Sequence, residues 1–403
     1  MAMFCYQCEQ TQSGTGCVSQ GKCGKDPQVA ALQDVLVIIA KEVAVAATAK
    51  PAVPTEAGDF VIEAMFLTVT NVNFDPARFL EAAKKGVALR DSLGGSGKAW
   101  NLSSVEALEA QAPDLSISVR TLGVGQDVTG LQELTLYGIK GAAAYLHHAN
   151  VLGKHDAGVT SDLVKALAAL HPAPVDIEQL AGMALAAGEI NLRVMAMLDA
   201  GHVETFGHPE PSPVRITPVE GKCILVSGHD LLDLKALLEQ TEGKGINIYT
   251  HGEMLPAHGY PELKKHKHLV GNYGGAWQDQ QKEFRSFPGP ILMTTNCIQK
   301  PSVDYINTIY TCGLVGWPGV MHIEGRDFSA LIEAAKAAPG FTATEPEETI
   351  LTGFARNTIL QHAGTVLDAI NAGALKHIFL IGGCDGAIFE RNYYTKIAEQ
   401  VPD

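Results

Sequence analysis

The stretch Pro209 to Thr250, PEPSPVRITPVEGKCILVSGHDLLDLKALLEQTEGKGINIYT, decides how the chain is built. Proline at 209, 211 and 213 can continue neither a helix nor a central strand, so a domain boundary belongs there. Beyond it the texture alternates. CILVS at 223–227 is a short apolar run that reads as a buried strand, Leu231 to Gln240 as a helix, and Ile246 to Thr250 as a strand again. Strand, helix, strand in this rhythm predicts a parallel, doubly wound sheet. Working outward to the C-terminal side, PILMTT at 290–295 adds a strand, and 328–337 and 357–372 read as helices. HIFLI at 377–381 reads as a further strand and 393–400 as a short helix. On the N-terminal side, from about Val29 to Gly207, apolar residues recur at helical spacing, as in LQDVLVII at 32–39 and again from Leu131 to Leu152. This part predicts a helix bundle, broken near 51–54, 94–97 and 171–174 where proline and glycine cluster.

The 403 residues are 46% hydrophobic and 18% charged, enough to bury a large core in two or three domains. A formal charge of -14 argues against nucleic acid or an anionic membrane surface as partner, since phosphate binding needs a basic patch. The first ten residues lack a basic segment followed by an apolar run, so no secretory signal is read there. No uninterrupted apolar stretch has the roughly 18 residues of a membrane span. The expected location is the cytoplasm, where clustered cysteines more often bind metal than form disulfides.

Four of the eight cysteines lie between residues 5 and 23, and none follows until Cys223. Cys5, Cys8, Cys17 and Cys23 are spaced C-x2-C-x8-C-x5-C, with Gly14, Gly16, Gly21 and Gly24 among them. Four thiolates on so short a segment can wrap a compact site, and the glycines let backbone amides approach the sulfurs. An iron-sulfur cluster is the leading reading, with electron transfer as its function. A structural zinc would use the same ligands but usually shows separated C-x2-C pairs, and disulfides are the remaining reading.

A second constellation comes from topology. His229, Glu253, Cys297 and Cys384 each sit just past the carboxyl end of a predicted strand, the edge at which open parallel sheets bind ligands. Imidazole, carboxylate and thiolate together suit a metal with an open position for a small oxygen- or nitrogen-bearing substrate. Each residue also has an ordinary reading: His229 at a helix start capped by Asp230, Glu253 as a solvated loop acid, the cysteines as small core hydrophobes. Cys223 and Cys312 read as structural. Adjacent His147 and His148 point in different directions from one helix, which disfavours a chelating pair, and His251, His258, His266 and His268 read either as ligands or proton donors or, for most of them, as surface residues. No Walker or dinucleotide fingerprint is present.

FCYQCEQT from Phe4, CGK from Cys23, LYGIKGAAAY from Leu136, ILVSGHDL from Ile224, YTHGEMLPAHGYPEL from Tyr249, GNYGGAW from Gly271, GPILMTTNC from Gly289 and GGCDG from Gly382 together resemble the hybrid cluster, or prismane, protein family, whose members are called hydroxylamine reductases. The resemblance implies a multidomain α and α/β fold: a helical domain at 1–213, a Rossmann-like domain at 214–354, and the start of a second one at 355–403. It implies that Cys5, Cys8, Cys17 and Cys23 hold a 4Fe-4S cluster and that His229, Glu253, Cys297 and Cys384 ligate a hybrid iron-sulfur-oxygen (4Fe-2O-2S) cluster, Cys384 as a persulfide. The implied activity is reduction of hydroxylamine or a related nitrogen oxide such as nitric oxide, with electrons from a donor reductase, in a monomer or homodimer. Family members carry two more cluster cysteines, a glutamate ligand and a lysine beyond the point matching Asp403, so the expectation here is a truncated last domain and an incomplete second cluster. The alternative is a non-catalytic electron-transfer or redox-sensing protein with the first cluster alone.

Overall fold

The structure, a computed structural model, describes residues 3–8, 10–11, 14–381, 385–386 and 390–402. The N-terminal half is helical: α1 Pro27–Thr48, α2 Thr55–Leu67, α3 Pro76–Ser92, α4 Val105–Glu109, α5 Ile117–Val124, α6 Gln126–Val151, α7 Ala157–Ala168 and α8 Ile177–Phe206. Helices α1, α3, α7 and α8 start by a shared device. Asp26, Asp75, Asp156 and Asp176 each turn a carboxylate back to accept a first-turn N–H, at 2.8, 3.0, 2.9 and 2.7 Å, stabilising each start by about 1 kcal/mol. Leu32, Leu36 and Ile39 of α1 pack with Phe60 and Met65 of α2, Phe79 of α3, Ile139 and Leu146 of α6, and Leu163 of α7 in one apolar core. Into its edge is set a buried ion pair, Arg90 Nη1 to Glu42 Oε2 at 2.6 Å. The same Glu42 accepts from Trp100 Nε1 and from the Lys98 amide, which ties down the glycine-rich turn after α3.

Helix α8 is the one described helix whose length and composition would suffice to cross a bilayer, although no uninterrupted apolar run was read in the sequence. Leu180, Ala187, Ile190 and Val194 line its buried side, and charged residues including Glu189, Arg193 and Asp199 interrupt the rest.

After α8 the chain enters a parallel sheet. Its strands are β2 Lys222–Ser227, β3 Ile246–Thr250, β4 Leu269–Asn272, β5 Ile291–Met293, β6 Ile309–Cys312 and β7 Met321–Ile323, in the spatial order β4-β3-β2-β5-β6-β7. All five pairings are parallel. Residues of β2 alternate between faces: Ile224 and Val226 pack with Leu234 and Leu238 of α9 (Leu231–Thr241) and Leu331 of α12 (Ser329–Ala337), while Cys223 and Leu225 pack with Tyr249, Phe284 and Phe287. Between them run the short helices α10 Pro261–Lys264 and α11 Gln280–Ser286. Strand order reverses between β2 and β5, which opens a crevice at the carboxyl edge there. The proline-rich segment forms β1, Ser212–Arg215, paired antiparallel with β8, Thr349–Thr352, in a separate two-stranded ribbon. Proline is tolerated in such an edge pairing.

Beyond β8 the expectation of a further strand fails. Residues 377–381 make no strand, and Ile378, Phe379, Leu380 and Ile381 are exposed, Leu380 by 95%. A strand is held by its neighbour's backbone, and no described segment pairs with this one. The expected helix at 357–372 is divided at His362 into α13 Arg356–Gln361 and α14 Ala363–Asn371, followed by α15 Tyr393–Gln400. Strands β4, β6 and β7 were not read in the sequence, being only three or four residues long, with glycine inside β4.

Candidate metal centres

The N-terminal cysteines are drawn together by backbone first. Cys5 and Cys17 exchange amide bonds at 3.0 and 2.7 Å, forming an isolated antiparallel bridge that closes the loop between them. All four thiols are free of disulfides. Burial pushes the Cys8 thiol up, and Cys23, Cys5 and Cys17 add to the rise; Cys23 is raised the same way, by burial and then by its neighbours. A Cβ on Gly21 would come within 3.0 Å of Cys23 Sγ and 3.1 Å of Lys25 Cβ, so only glycine leaves the wrap this tight. Lys25, 1% exposed, directs Nζ to Cys5 Sγ at 3.7 Å while donating to Gln33 Oε1 at 2.7 Å. A buried ammonium beside four clustered thiols offsets the negative charge that a thiolate-bound metal group would carry. This lysine was missed in the sequence; a cation two residues from the last cysteine was the available signal.

Behind Cys5 lies a cavity of about 210 Å³ lined by Gln33, Asp34, Lys41, Arg120, Glu133 and Lys140 among others. Arg120 and Tyr6 bind Glu133, at 2.5 and 2.9 Å. Burial presses Lys41 and Lys140 down to about 8 and lifts the Asp34 carboxyl to about 7.

The second constellation sits at the crevice between β2, β3 and β5. Gly228, at φ +105°, turns the chain out of β2; a Cβ there would meet Thr294 Oγ1 at 2.5 Å. The next residue, His229, has its amide bonded to Thr295 Oγ1 at 2.9 Å and its Nδ1 3.3 Å from the same hydroxyl. Its Nε2 meets Glu253 Oε2 at 2.5 Å, and this bond holds the Glu253 carboxyl below its usual range. Cys297, after β5, adopts φ +67°, a strained conformation for a side-chain-bearing residue. His229, Glu253 and Cys297 offer ligand atoms within 4.8 Å of one another, and burial raises the Cys297 thiol strongly. Of the four residues expected at strand ends, three are thus together; Cys384 lies outside the described residues. A cavity of about 410 Å³ opens onto His229 and Glu253, lined also by Phe66, His148, His202, Tyr260 and Asn296. His148 and His202 line this cavity singly and do not chelate as a pair with His147.

Cys223 is buried at the start of β2, and Cys312 at the end of β6 points Sγ at Asp233 Oδ2, 3.3 Å away. His251 and His258, read as surface residues, are buried. His251 bridges Ser227 Oγ at 3.0 Å and Glu283 Oε2 at 2.9 Å, and His258 bonds Thr250 Oγ1 at 2.9 Å. The two centres share a stretch of backbone. Three residues after Cys297, the Lys300 amide donates to the carbonyl of Cys23 at 2.9 Å, and Ile298 between them is bound by Asn71.

The model of the Prismane/CO dehydrogenase family matches residues 3–403. The hydroxylamine reductase of Acidiphilium cryptum is 50% identical over an alignment covering 100% of this chain and 77% of that protein. That of Solidesulfovibrio magneticus is also 50% identical, and that of Methanocella arvoryzae 49%, each covering 99% of this chain and 77% of the relative. Among solved structures, carbon monoxide dehydrogenase IV from Carboxydothermus hydrogenoformans is 15% identical, covering 90% of this chain and 60% of that one with a TM-score of 0.40. With the family model matched along nearly its whole length and relatives at half identity, this chain belongs to the Prismane/CO dehydrogenase family.

Proposed function

We propose that the protein is an iron-sulfur oxidoreductase that reduces hydroxylamine, or a related nitrogen oxide such as nitric oxide, with electrons supplied by a donor reductase. The relatives' shared name and half identity support the reaction class. For hydroxylamine the balance is cleavage of the N–O bond with uptake of a pair of electrons and a pair of protons, giving ammonia and water. The observation that carries the reading is the convergence of His229, Glu253 and Cys297 in the crevice, with His229 and Glu253 lining its cavity. With Cys384 they would hold the hybrid iron-sulfur-oxygen cluster, and Cys5, Cys8, Cys17 and Cys23 a 4Fe-4S cluster. When bound, these groups supply the electron transfer and the substrate-binding iron. The protein's own part is to hold the ligands in place. Thr295 fixes the His229 ring, the half-turn at Gly228 aims it into the crevice, and the cavity admits a small substrate while its apolar wall of Phe66, Met254 and Tyr260 limits water. The 297–300 segment, bonded to Cys23, is the proposed electron route between the sites. The chain would divide into a helical domain at 1–213, a Rossmann-like domain at 214–354 and the beginning of another at 355–403.

The test combines metal counting with turnover. In protein purified without oxygen, about eight irons per chain together with reduction of hydroxylamine by a reduced dye would support both clusters. Cys297→Ala should lower the count to about four and abolish turnover. Cys8→Ala should remove the other cluster alone. About four irons in the parent protein, with no turnover, would leave a one-cluster electron carrier or redox sensor as the function.

A further inference from the structure

At the opposite edge of the sheet from the crevice, Glu242, His266 and His268 bring ligand atoms within 4.8 Å of one another. Glu242 follows the last turn of α9, and the two histidines flank Lys267 in the turn that leads into β4. His266 Nδ1 is 2.9 Å and His268 Nδ1 3.5 Å from the same Glu242 Oε2. The rings stand nearly perpendicular, 84° apart, both facing that oxygen.

Hydrogen-bond accounting at His268 shows what belongs between them. Its Nε2 lies 3.1 Å from the Leu238 carbonyl and 3.0 Å from Thr241 Oγ1. The carbonyl can only accept. Thr241 already uses its hydroxyl hydrogen on the Leu237 or Leu238 carbonyl, at 2.7 or 3.2 Å, so its oxygen also accepts from His268. Nε2 therefore carries the proton, and the neutral ring has its lone pair on Nδ1. That lone pair faces a carboxylate oxygen, one acceptor against another, and the arrangement asks for a cation. A proton on Nδ1 or a metal ion can supply it. His266 differs in that its buried Nε2 has no partner, so nothing fixes its tautomer and its Nδ1 can either donate to Glu242 or offer a lone pair.

We propose that Glu242, His266 and His268 form a zinc site, with one coordination position left to water. Zn–N and Zn–O bonds of about 2.0–2.2 Å in a tetrahedron place neighbouring ligand atoms about 3.3–3.5 Å apart, and the observed 2.9 and 3.5 Å separations bracket this. Two imidazoles and a carboxylate are a borderline donor set that suits Zn²⁺, and the Leu238 carbonyl and Thr241 hydroxyl are the outer partners that hold one ring in its ligating tautomer. The site clips the end of α9 to the start of the edge strand β4. Since α9 begins beside His229, zinc here would stiffen the element that carries a crevice ligand at its other end.

The experiment is zinc competition against a chromophoric chelator on the full chain with its iron content intact, with melting temperature followed in parallel. One equivalent of Zn²⁺ should bind tightly enough to compete, and it should raise the melting temperature. Glu242→Gln and His268→Gln should each weaken that equivalent at least tenfold and remove the melting shift. Cys297→Ser should retain it, which separates this site from the crevice. Glu242 is exposed, so its substitution stands as the test should His268→Gln fail to fold. Undiminished zinc binding in Glu242→Gln, or none in the parent at pH 7.5, overturns the proposal.

Discussion

Single residues carry charges whose removal has a definite sign. Lys25 stands 3.7 Å from Cys5 Sγ with almost no access to water, so Lys25→Met should make the proposed N-terminal cluster harder to reduce. A midpoint lowered by tens of millivolts, read by spectroelectrochemistry, is the expected result, on the order of one partly screened unit charge. Glu42 is the acceptor for a buried guanidinium and for a half-buried indole and amide. Glu42→Ala strands Arg90 without its counter-charge and should cost about 3–5 kcal/mol in denaturant unfolding. Asp34 links stability to pH. Burial raises it to about 7, so above pH of about 4 the folded chain keeps a proton that the unfolded chain has released, and stability falls as pH climbs to about 7. Lys41 and Lys140, pressed down to about 8 by burial, act oppositely and restore stability between about 8 and 10.5. Asp34→Asn should therefore gain on the parent as pH rises from 5 to 7.5, by on the order of a few kcal/mol in melting experiments.

Elements were readable where their pattern was long or their ends were marked. The 22 residues of α1, the four apolar residues Cys223 to Val226 of β2 and the Ile246, Ile248, Tyr249 pattern of β3 declare themselves, because a long period or a short dense apolar run leaves few alternatives. Strands of three or four residues such as β6 and β7 fall below that threshold, and their hydrogen bonds are decided by neighbours distant in sequence. The 377–381 run shows the converse. Its composition is that of a strand, but a strand also requires a partner, and none of the described residues pairs with it. The same stretch of chain leaves Leu360 of α13 and Leu367 of α14 exposed. With so few buried contacts, amides from 356 to 381 should exchange with deuterium well before those of β2 and β3, by hydrogen-exchange mass spectrometry.

At the scale of the whole molecule, topology made the crevice site readable. Residues just past parallel strands converge wherever the strand order reverses, so His229, Glu253 and Cys297 were predictable as a group from their positions alone. Topology gave no warning of Lys25 or of the Glu242, His266 and His268 cluster, which assemble through turns rather than strand ends. The ribbon of β1 and β8 has a consequence for how the protein folds. Its strands come from residues about 140 positions apart, so pairing them waits until everything between has contracted. Gly353 abuts the carbonyl of Glu210 so closely that a Cβ would overlap it, and this contact can form only when both ends have arrived. The ribbon should therefore be the last part of the sheet region to zip and the first to open, a natural place for a fluorescent reporter of its integrity.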